Sequence, residues 1–185
     1  MQTTFRVQSV ADILGLGGVV ACPTEAVWGL SCNPLDAEAV LRLLELKQRP
    51  VEKGLIIVAA DIGQLEGLLE GITPAQRKKL EASWPGPNTW LVPHQGRIPQ
   101  WVSGQHDTVA VRVSSHPVVQ ALCQAWGAPL ISTSANPAGK QAPRRRFQVV
   151  RYFGGTLDAI APGETGPGTR PSVIRDLATD RVIRA

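Results

Sequence analysis

Three cations are concentrated in a short connection between two apolar segments. Lys47, Arg49 and Lys53 lie between an apolar pattern at helical spacing and an apolar run over residues 55–60. Pro50 prevents the helix from continuing, so the pattern predicts a helix, a basic connection and then a strand. Cations held on such a connection can bind phosphate or carboxylate groups. A solvated basic loop is the simpler interpretation of the same residues.

Polar side chains also follow two predicted strands, at the end where ligand sites commonly form in α/β proteins. Thr24 and Glu25 come after the apolar run 19–22, and a hydroxyl with a carboxylate there could bind a small polar substrate. The segment 132–136, Ser-Thr-Ser-Ala-Asn, leaves a strand that begins at Leu130. Its hydroxyl, amide and backbone N–H groups suit phosphate or ribose oxygens. Each segment also fits an ordinary polar turn.

Arg112 lies on an alternating strand. Over residues 107–113 three valines share one face, and Arg112 lies on the opposite face with Thr108. An arginine in this position could bind a carboxylate through two parallel hydrogen bonds, or form a surface ion pair. Further along, the glycine-rich stretch 163–172 fits either close approach of the backbone to a ligand or a flexible loop. The arginines at 144–146 form either an anion site or a solvated face.

The composition is that of a folded domain with an anionic partner. The 185 residues are 43% hydrophobic, which excludes a mainly disordered chain, and the length suits one domain. A formal net charge of +4 favours a nucleotide or RNA as the partner. The sequence shows neither a signal-peptide pattern nor an apolar run near the ~18 residues of a membrane span. We therefore expect a cytoplasmic protein with no membrane partner.

The common metal and nucleotide motifs do not occur in the sequence. Cys22, Cys32 and Cys123 form no Cys-x-x-Cys pair, and no ligand spacing brings them together with the three histidines. We therefore expect neither a structural metal nor a disulfide framework. The P-loop pattern and the Rossmann glycine pattern are both missing. A nucleotide would have to bind in another type of site.

Helical and strand patterns alternate along the chain. One helix is predicted to begin at the capping pattern Ser9–Asp12 and another after Asp36. A further helix is predicted to begin at Thr73, where Pro74 and Gln76 complete a capping box. Strands alternate with the helices, and closely spaced strands follow near residue 184. The pattern predicts an α/β fold with a mixed sheet.

Six segments resemble, in order, the motifs of the YrdC family. They are Pro23–Leu30, Lys47–Pro50 with Lys53, Trp84–Pro87, Val109–Val113, Ser132–Asn136 and Pro171–Asp176. The resemblance spans nearly the whole chain, and six ordered motifs are more specific than any one of them. It implies a twisted mixed β-sheet flanked by helices, with a deep basic cavity, in a single YrdC-like domain over residues 1–185.

The resemblance also implies an enzymatic activity. It is the condensation of L-threonine, bicarbonate and ATP to threonylcarbamoyl-adenylate and pyrophosphate, the first stage in making the t6A base of tRNAs that read ANN codons. ATP is expected to enter with Mg²⁺, and a separate transferase complex is expected to receive the adenylate. Direct binding of tRNA or other RNA is left open.

The resemblance implies three overlapping groups of site residues. The catalytic cations are expected to be Lys47 and Arg49. The threonine site is expected to consist of Thr24, Arg112, Ser132 and Ser172, with Arg112 on the carboxylate. The nucleotide site is expected to consist of Lys47, Arg49, Lys53, Thr108, Ser134, Asn136, Arg144 and Arg184. Metal ligands are not assigned.

Two other functions fit the same residues. A non-enzymatic RNA-binding module would use the basic cavity and the arginines at 144–146 to hold structured RNA. A carbamoyl-transfer enzyme acting on another amino acid would differ in the size of its substrate pocket. The first alternative predicts binding that weakens steeply with salt, whereas the synthase predicts loss of activity when Lys47 or Arg49 is replaced.

Overall fold

Helices and strands alternate over most of the chain. The computed structural model describes residues 2–184, with side chains from residue 6 onward. The helices are α1 (Gln2–Gly15), α2 (Ala37–Lys47), α3 (Glu66–Leu69), α4 (Pro74–Ser83), α5 (Gln100–Ser103), α6 (Pro117–Trp126) and α7 (Arg146–Phe153). The strands are β1 (Val20–Pro23), β2 (Trp28–Ser31), β3 (Ile56–Ala59), β4 (Asn88–Pro93), β5 (Thr108–Val113), β6 (Leu130–Ser134), β7 (Ala159–Ile160), β8 (Val173–Asp176) and β9 (Val182–Arg184).

The strands form one mixed sheet. Their order is β7-β1-β2-β6-β3-β5-β4-β8-β9. Strand β3 is parallel to β5, β1 to β7 and β4 to β8, whereas the other neighbours are antiparallel. The predicted α/β fold with a mixed sheet flanked by helices is therefore confirmed.

The two faces of the sheet carry separate apolar cores. Val58 of β3 and Leu130 of β6 pack with side chains of α1 and α6. Their neighbours along the strands, Ile57 and Ile131, point to the other face and pack in the core that includes α2 and α7. This alternation follows from the two-residue repeat of a strand. Residues two positions away from Val58 and Leu130 therefore lie on the α1/α6 face.

Capping residues define the ends of the helices near the basic connection. The Asp36 side chain accepts a hydrogen bond from the Ala39 N–H at 3.0 Å, and α2 begins directly after it. The helix ends at Lys47, after which Gln48 adopts a left-handed conformation with φ 51°. The predicted capping box at Thr73 also forms. These three predictions of helix ends are confirmed.

One prediction near the beginning of the chain is wrong, and one strand there was missed. Helix α1 begins at Gln2, so Ser9 lies inside the helix rather than at its start. Strand β2 was not predicted, yet it forms an antiparallel hairpin with β1. The hairpin is closed by a hydrogen bond from the Thr24 N–H to the Val27 carbonyl at 3.0 Å. Across the described residues, we find no helix with the length and apolar character that a membrane span needs.

Candidate active site

A cavity of about 400 Å³ lies on the α1/α6 face of the sheet. Its position follows from strand alternation: Val58 and Leu130 pack against the helices, while Ile56 and Ser132, two residues away on the same strands, line the cavity. Nine of the twelve predicted site residues line it, namely Thr24, Arg49, Lys53, Thr108, Arg112, Ser132, Ser134, Ser172 and Arg184. The structure therefore brings most of the predicted site together.

Positive charge dominates the cavity wall. Among the described residues, the wall contains five cations and one carboxylate, Glu25. The cations are Arg49, Lys53, Arg112, Arg170 and Arg184. Together they make the cavity basic, as the resemblance implies.

Strand β5 and its neighbours set the direction of the central side chains. Thr108 and Arg112 lie on the cavity face of β5, and the valines between and beside them lie in the core. The predicted alternation is therefore confirmed. On β2, Gly29 leaves room for the cavity, because a Cβ there would lie 3.5 Å from the Thr24 side chain and 3.8 Å from the Ser132 hydroxyl.

Arg112 is held by an ion pair inside the cavity. Its Nη1 lies 3.0 Å from the Glu25 carboxylate, and the two side chains are only 8% and 16% exposed. Glu25 also accepts hydrogen bonds from the Ser114 hydroxyl at 2.7 Å and the Ser115 N–H at 3.0 Å. Burial raises the pKa of Glu25, but the Arg112 charge and the hydrogen bonds lower the pKa further, so it lies below its usual value. Glu25 is therefore ionised at neutral pH.

The cations interact in a row that we call the cation row: Arg49, Arg184 and Arg112. Arg49 donates from Nη2 to the Gly54 carbonyl at 2.9 Å, and Arg184 donates to the Ser172 carbonyl at 3.0 Å. Burial and the charge of Arg184 lower the pKa of Arg49. Burial and the charge of Arg112 lower the pKa of Arg184. Arg184 thus lies close enough to both Arg49 and Arg112 for their positive charges to interact with its own.

Lys47 does not line the cavity, but it bonds to the segment that carries Ser134, a residue of the cavity wall. Its buried Nζ donates to the backbone carbonyls of Ser134 and, at 3.0 Å, of Asn136. These bonds join the end of α2 to the segment that leaves β6. Burial, together with the charge of Arg49, lowers the pKa of Lys47 to about 8. In this structure Lys47 holds the loop on which Ser134 lies, and a direct contact with phosphate stays a prediction.

The titration of Lys47 should make the stability of the fold depend on pH. In the unfolded chain its pKa is the ordinary 10.5, whereas in the folded chain it is about 8. Between these values the unfolded state binds more protons, so this residue makes the free energy of unfolding rise with pH. We expect urea titrations at pH 8 and pH 10 to show a larger rise for the wild-type chain than for Lys47→Met. An identical pH dependence in both chains would contradict this expectation.

Two other predicted nucleotide residues lie outside the cavity. Asn136 donates its amide to carbonyls of its own loop. Arg144 donates to the Gly168 carbonyl at 2.8 Å and lines a second cavity of about 580 Å³. Trp28 lines this second cavity, while its neighbour Gly29 lines the first, so the two cavities lie on opposite sides of β2. The nucleotide roles of Asn136 and Arg144 remain predictions.

The glycine-rich loop approaches the backbone at the base of the site. The Gly166 N–H donates to the Thr24 carbonyl at 3.0 Å, and the Gly168 N–H donates to the Glu25 carbonyl at 2.8 Å. A Cβ on Gly168 would lie 2.6 Å from that same carbonyl oxygen, so only glycine fits. The loop is therefore bonded to the backbone of residues 24 and 25, and approach of its backbone to a ligand stays a prediction. These bonds fix the position of Thr24 and Glu25.

Three further polar residues of the cavity wall were not predicted. They are Ser103, His106 and Arg170. Ser103 belongs to α5, a one-turn helix that no pattern indicated. Arg170 lies in the glycine-rich stretch 163–172 and directly precedes the last matched motif, and these two positions were the available signals for it. Glu25 was noted as polar, but its pairing with Arg112 joins residues 87 positions apart and could not be read from the sequence.

The carboxylates and other ligating side chains do not cluster. Within the part of the chain that the structure describes, no group of three or more His, Cys, Asp or Glu side chains could hold a metal ion. The Glu25 oxygens already accept hydrogen bonds from Arg112, Ser114 and Ser115. The cavity wall is therefore suited to anions rather than to a bare cation.

The sequence also matches a family model over most of its length. The model, described as "Telomere recombination" and named for Sua5, YciO and YrdC, matches residues 12–185. The chain belongs to the Sua5/YciO/YrdC family. The resemblance that the six motifs carry is confirmed by this match.

Family members with similar sequences span the same length. A protein of Pseudomonas aeruginosa PAO1 named threonylcarbamoyl-AMP synthase is 59% identical over 184 residues, covering 100% of this chain and 99% of the relative. A protein of the same name from Stutzerimonas stutzeri is 55% identical over 180 residues, covering 97% of each chain.

Solved structures of the family share the fold. The crystal structure of P. abyssi Sua5 complexed with L-threonine superposes with a TM-score of 0.90 at 34% identity. The alignment covers 97% of this chain and 53% of that one, so the present chain spans about half of the Sua5 protein. E. coli YciO superposes with a TM-score of 0.85 at 24% identity, which supports the fold alone.

Proposed function

We propose that this chain has threonylcarbamoyl-AMP synthase activity: it condenses L-threonine, bicarbonate and ATP to threonylcarbamoyl-adenylate and pyrophosphate, for t6A formation in tRNAs that read ANN codons. The observation that carries the proposal is the 59% identity to the P. aeruginosa synthase over nearly the full length of both chains. The L-threonine complex of the related Sua5 protein supports the choice of amino acid. A basic cavity with a carboxylate-binding arginine is what these substrates need.

The reaction places growing negative charge on phosphate oxygens. The threonine ammonium group first releases a proton to solvent. The resulting amine attacks the carbon of bicarbonate, forming a C–N bond, and the bicarbonate hydroxyl leaves as water with a second amine proton. A carbamate oxygen then attacks the α-phosphorus, and the bond from the α-phosphorus to the bridging oxygen breaks, so that pyrophosphate leaves with the electron pair. Fixed cations around the phosphates stabilise such a transition state. No covalent enzyme intermediate is required, so positioning and electrostatics are sufficient.

The two ends of the cavity suit the two larger substrates. We assign the triphosphate to Arg49 and Lys53, with Arg184 beside them, and Ser134 and Thr108 to the rest of the nucleotide. Threonine is assigned to the end that contains Arg112, where Thr24, Ser132 and Ser172 supply hydroxyl groups. The Ser172 hydroxyl lies 2.8 Å from that of Thr89, which holds it in place. Lys47 is assigned a positioning role, because it holds the loop on which Ser134 lies, and its direct contact with the triphosphate stays a prediction.

The setting of the reaction is also a proposal. Mg²⁺ is taken to enter as part of the ATP substrate and to be coordinated mainly by phosphate oxygens and water, as is usual for this ion. The activity implies a cytoplasmic protein whose adenylate product passes to a transferase complex. We further propose that residues 1–185 form a single YrdC-like domain, which the continuous nine-stranded sheet supports.

The test is to identify the product. Purified protein is incubated with MgATP, L-threonine and ¹³C-bicarbonate, and the mixture is analysed at once by mass spectrometry. The proposal expects an adenylate whose mass includes threonine and one ¹³C atom. A labelled adenylate formed equally well from L-serine or L-valine would instead favour carbamoyl transfer to another amino acid. An adenylate without ¹³C would contradict the proposal.

Direct RNA binding is a second candidate, favoured by the surface around α7. Arg144, Arg145 and Arg146 are exposed and, among the described residues, form no ion pair, and Phe147 beside them is 64% exposed. Arginines next to an exposed aromatic ring suit single-stranded RNA. This candidate expects RNA affinity that falls steeply with salt and falls again in Arg145→Ala. Synthase activity that survives this substitution would separate the two functions.

A further inference from the structure

Glu25 is the single carboxylate that lines the cavity among the described residues, and it pairs with one of the five cations there. Arg49 and Lys53, which we assign to the triphosphate, form no ion pair with a carboxylate of the described residues. Arg112, which we assign to threonine, is neutralised by the Glu25 carboxylate at 3.0 Å. The cation row therefore ends in an ion pair rather than in a free positive charge.

Glu25 is fixed too firmly to act as a mobile acid or base. One carboxylate oxygen accepts from the Ser114 hydroxyl and the Ser115 N–H, and the other accepts from Arg112. Its backbone carbonyl is held in turn by the Gly168 N–H at 2.8 Å. A carboxylate with both oxygens occupied and a lowered pKa is a poor acceptor for an amine proton. Glu25 therefore contributes a fixed negative charge to the cavity and not a proton transfer.

Arg112 keeps binding capacity that the ion pair does not use. Only Nη1 bonds to Glu25, and within the described part of the chain the buried Nε has no hydrogen-bond partner. The Nε atom is enclosed, so a ligand oxygen would meet the Arg112 guanidinium where it lines the cavity. Arg112 can thus bind a carboxylate while it remains paired with Glu25.

We propose that Glu25 is a specificity-determining residue: by pairing with Arg112 it makes the amino-acid end of the cavity electrically neutral, so that this end accepts a threonine zwitterion and rejects phosphate groups. This inference rests on the proposed function, because it assumes that threonine and ATP share the cavity. It extends that function by explaining why threonine and the phosphates of ATP bind to different parts of the cavity.

The physical reason is the difference in net charge between the two ligands. Threonine is neutral overall, so it gains from a neighbouring positive and negative group without needing net positive charge. Phosphate groups carry more negative charge, and the Glu25 carboxylate repels them at the short distances inside the cavity. Without Glu25, Arg112 would extend the cation row, and phosphate would occupy the threonine end. Rejection of the wrong ligand by a like charge is a common source of specificity.

The test compares phosphate binding in the wild-type chain and in Glu25→Gln, which removes the charge and keeps the shape. Inorganic phosphate is titrated by calorimetry with and without saturating L-threonine. We expect phosphate to bind Glu25→Gln at least about tenfold more tightly than the wild type, since a lost like-charge repulsion is worth this much or more. We also expect threonine to displace that phosphate from the variant but not from the wild type. In turnover, phosphate should compete with threonine only in the variant.

The matched control is Glu66→Gln. It removes the carboxylate of another Glu–Arg pair, in which Arg77 lies 2.6 Å away, but at an exposed position far from the cavity wall. Its phosphate affinity should equal that of the wild type. Equal phosphate affinity in Glu25→Gln and the wild type would overturn the inference. Displacement of phosphate by threonine in the wild type would overturn it as well, and this arm needs no variant to fold.

The binding experiment separates failure of the inference from failure of the proposed function. If the wild type forms no adenylate and binds no threonine, the proposed function fails. If the wild type binds threonine and forms the adenylate, but Glu25→Gln gains no affinity for phosphate, only the inference fails. A general loss of structure in the variant would appear in its circular dichroism and would leave the wild-type arm to decide.

Discussion

Replacing Arg112 with lysine is expected to raise the KM for threonine about a hundredfold, the size of effect found when a buried, hydrogen-bonded charge pair is disrupted. The arginine pairs with Glu25 through Nη1 and lines the cavity, where its guanidinium can also bind a substrate carboxylate. Lysine keeps the charge but presents one compact ammonium group, so it cannot hold Glu25 and a carboxylate in the same geometry. The KM for ATP should change little, because ATP is assigned to the other end of the cavity.

The measurement is steady-state pyrophosphate release with each substrate varied in turn. Arg77→Lys is the matched control, since this arginine also pairs with a glutamate but lies on the surface. Its kinetic constants should match those of the wild type. A rise in the KM for ATP rather than for threonine would place Arg112 at the nucleotide and reverse our assignment of the two ends.

Replacing Arg49 with alanine is expected to lower kcat/KM for ATP by a factor of about 10² to 10³, as removal of a single stabilising group around a developing charge typically does. Arg49 lines the cavity, and its guanidinium is held at the Gly54 carbonyl at 2.9 Å by Nη2. It is thus fixed in position with capacity left for a phosphate oxygen. Arg49→Lys, which keeps the charge, should lose less activity than Arg49→Ala.

Arg97→Ala is the control for the loss of an arginine that is held by a neighbour. Arg97 pairs with Glu70 at 3.0 Å on the surface and does not line the cavity. Its activity should equal that of the wild type. Full activity in Arg49→Ala, with folding confirmed by circular dichroism, would show that the basic connection is a solvated loop, as the simpler interpretation of the sequence holds.

Features set by local sequence were predicted well. Asp36 accepts from the backbone at the start of α2, and the alternation of β5 sends Arg112 to the opposite face from its valines. Both depend on residues close together in the chain, where capping and the two-residue strand repeat act directly. The collection of most site residues in one cavity was predictable from the ordered family motifs, but not from any motif alone.

Features set by contacts between distant residues were not predictable. Lys47 bonds to the carbonyl of Ser134, 87 residues away, so its position behind the cavity wall depends on how α2 and β6 pack. Arg144 lies at the second cavity, because the loop after β6 crosses beside β2. Strand β2 has only four residues and follows a turn without an Asn-Gly or Asp-Gly signal, so its pairing with β1 left no local mark.

The central claim is tested most directly by pyrophosphate release from ATP, with L-threonine and bicarbonate omitted one at a time. The account expects release only when both are present, and expects it to fall in parallel with adenylate formation when Arg49 is replaced by alanine. Release that continues without threonine or without bicarbonate would contradict the claim. So would the absence of release in the complete mixture from protein that is folded and binds L-threonine.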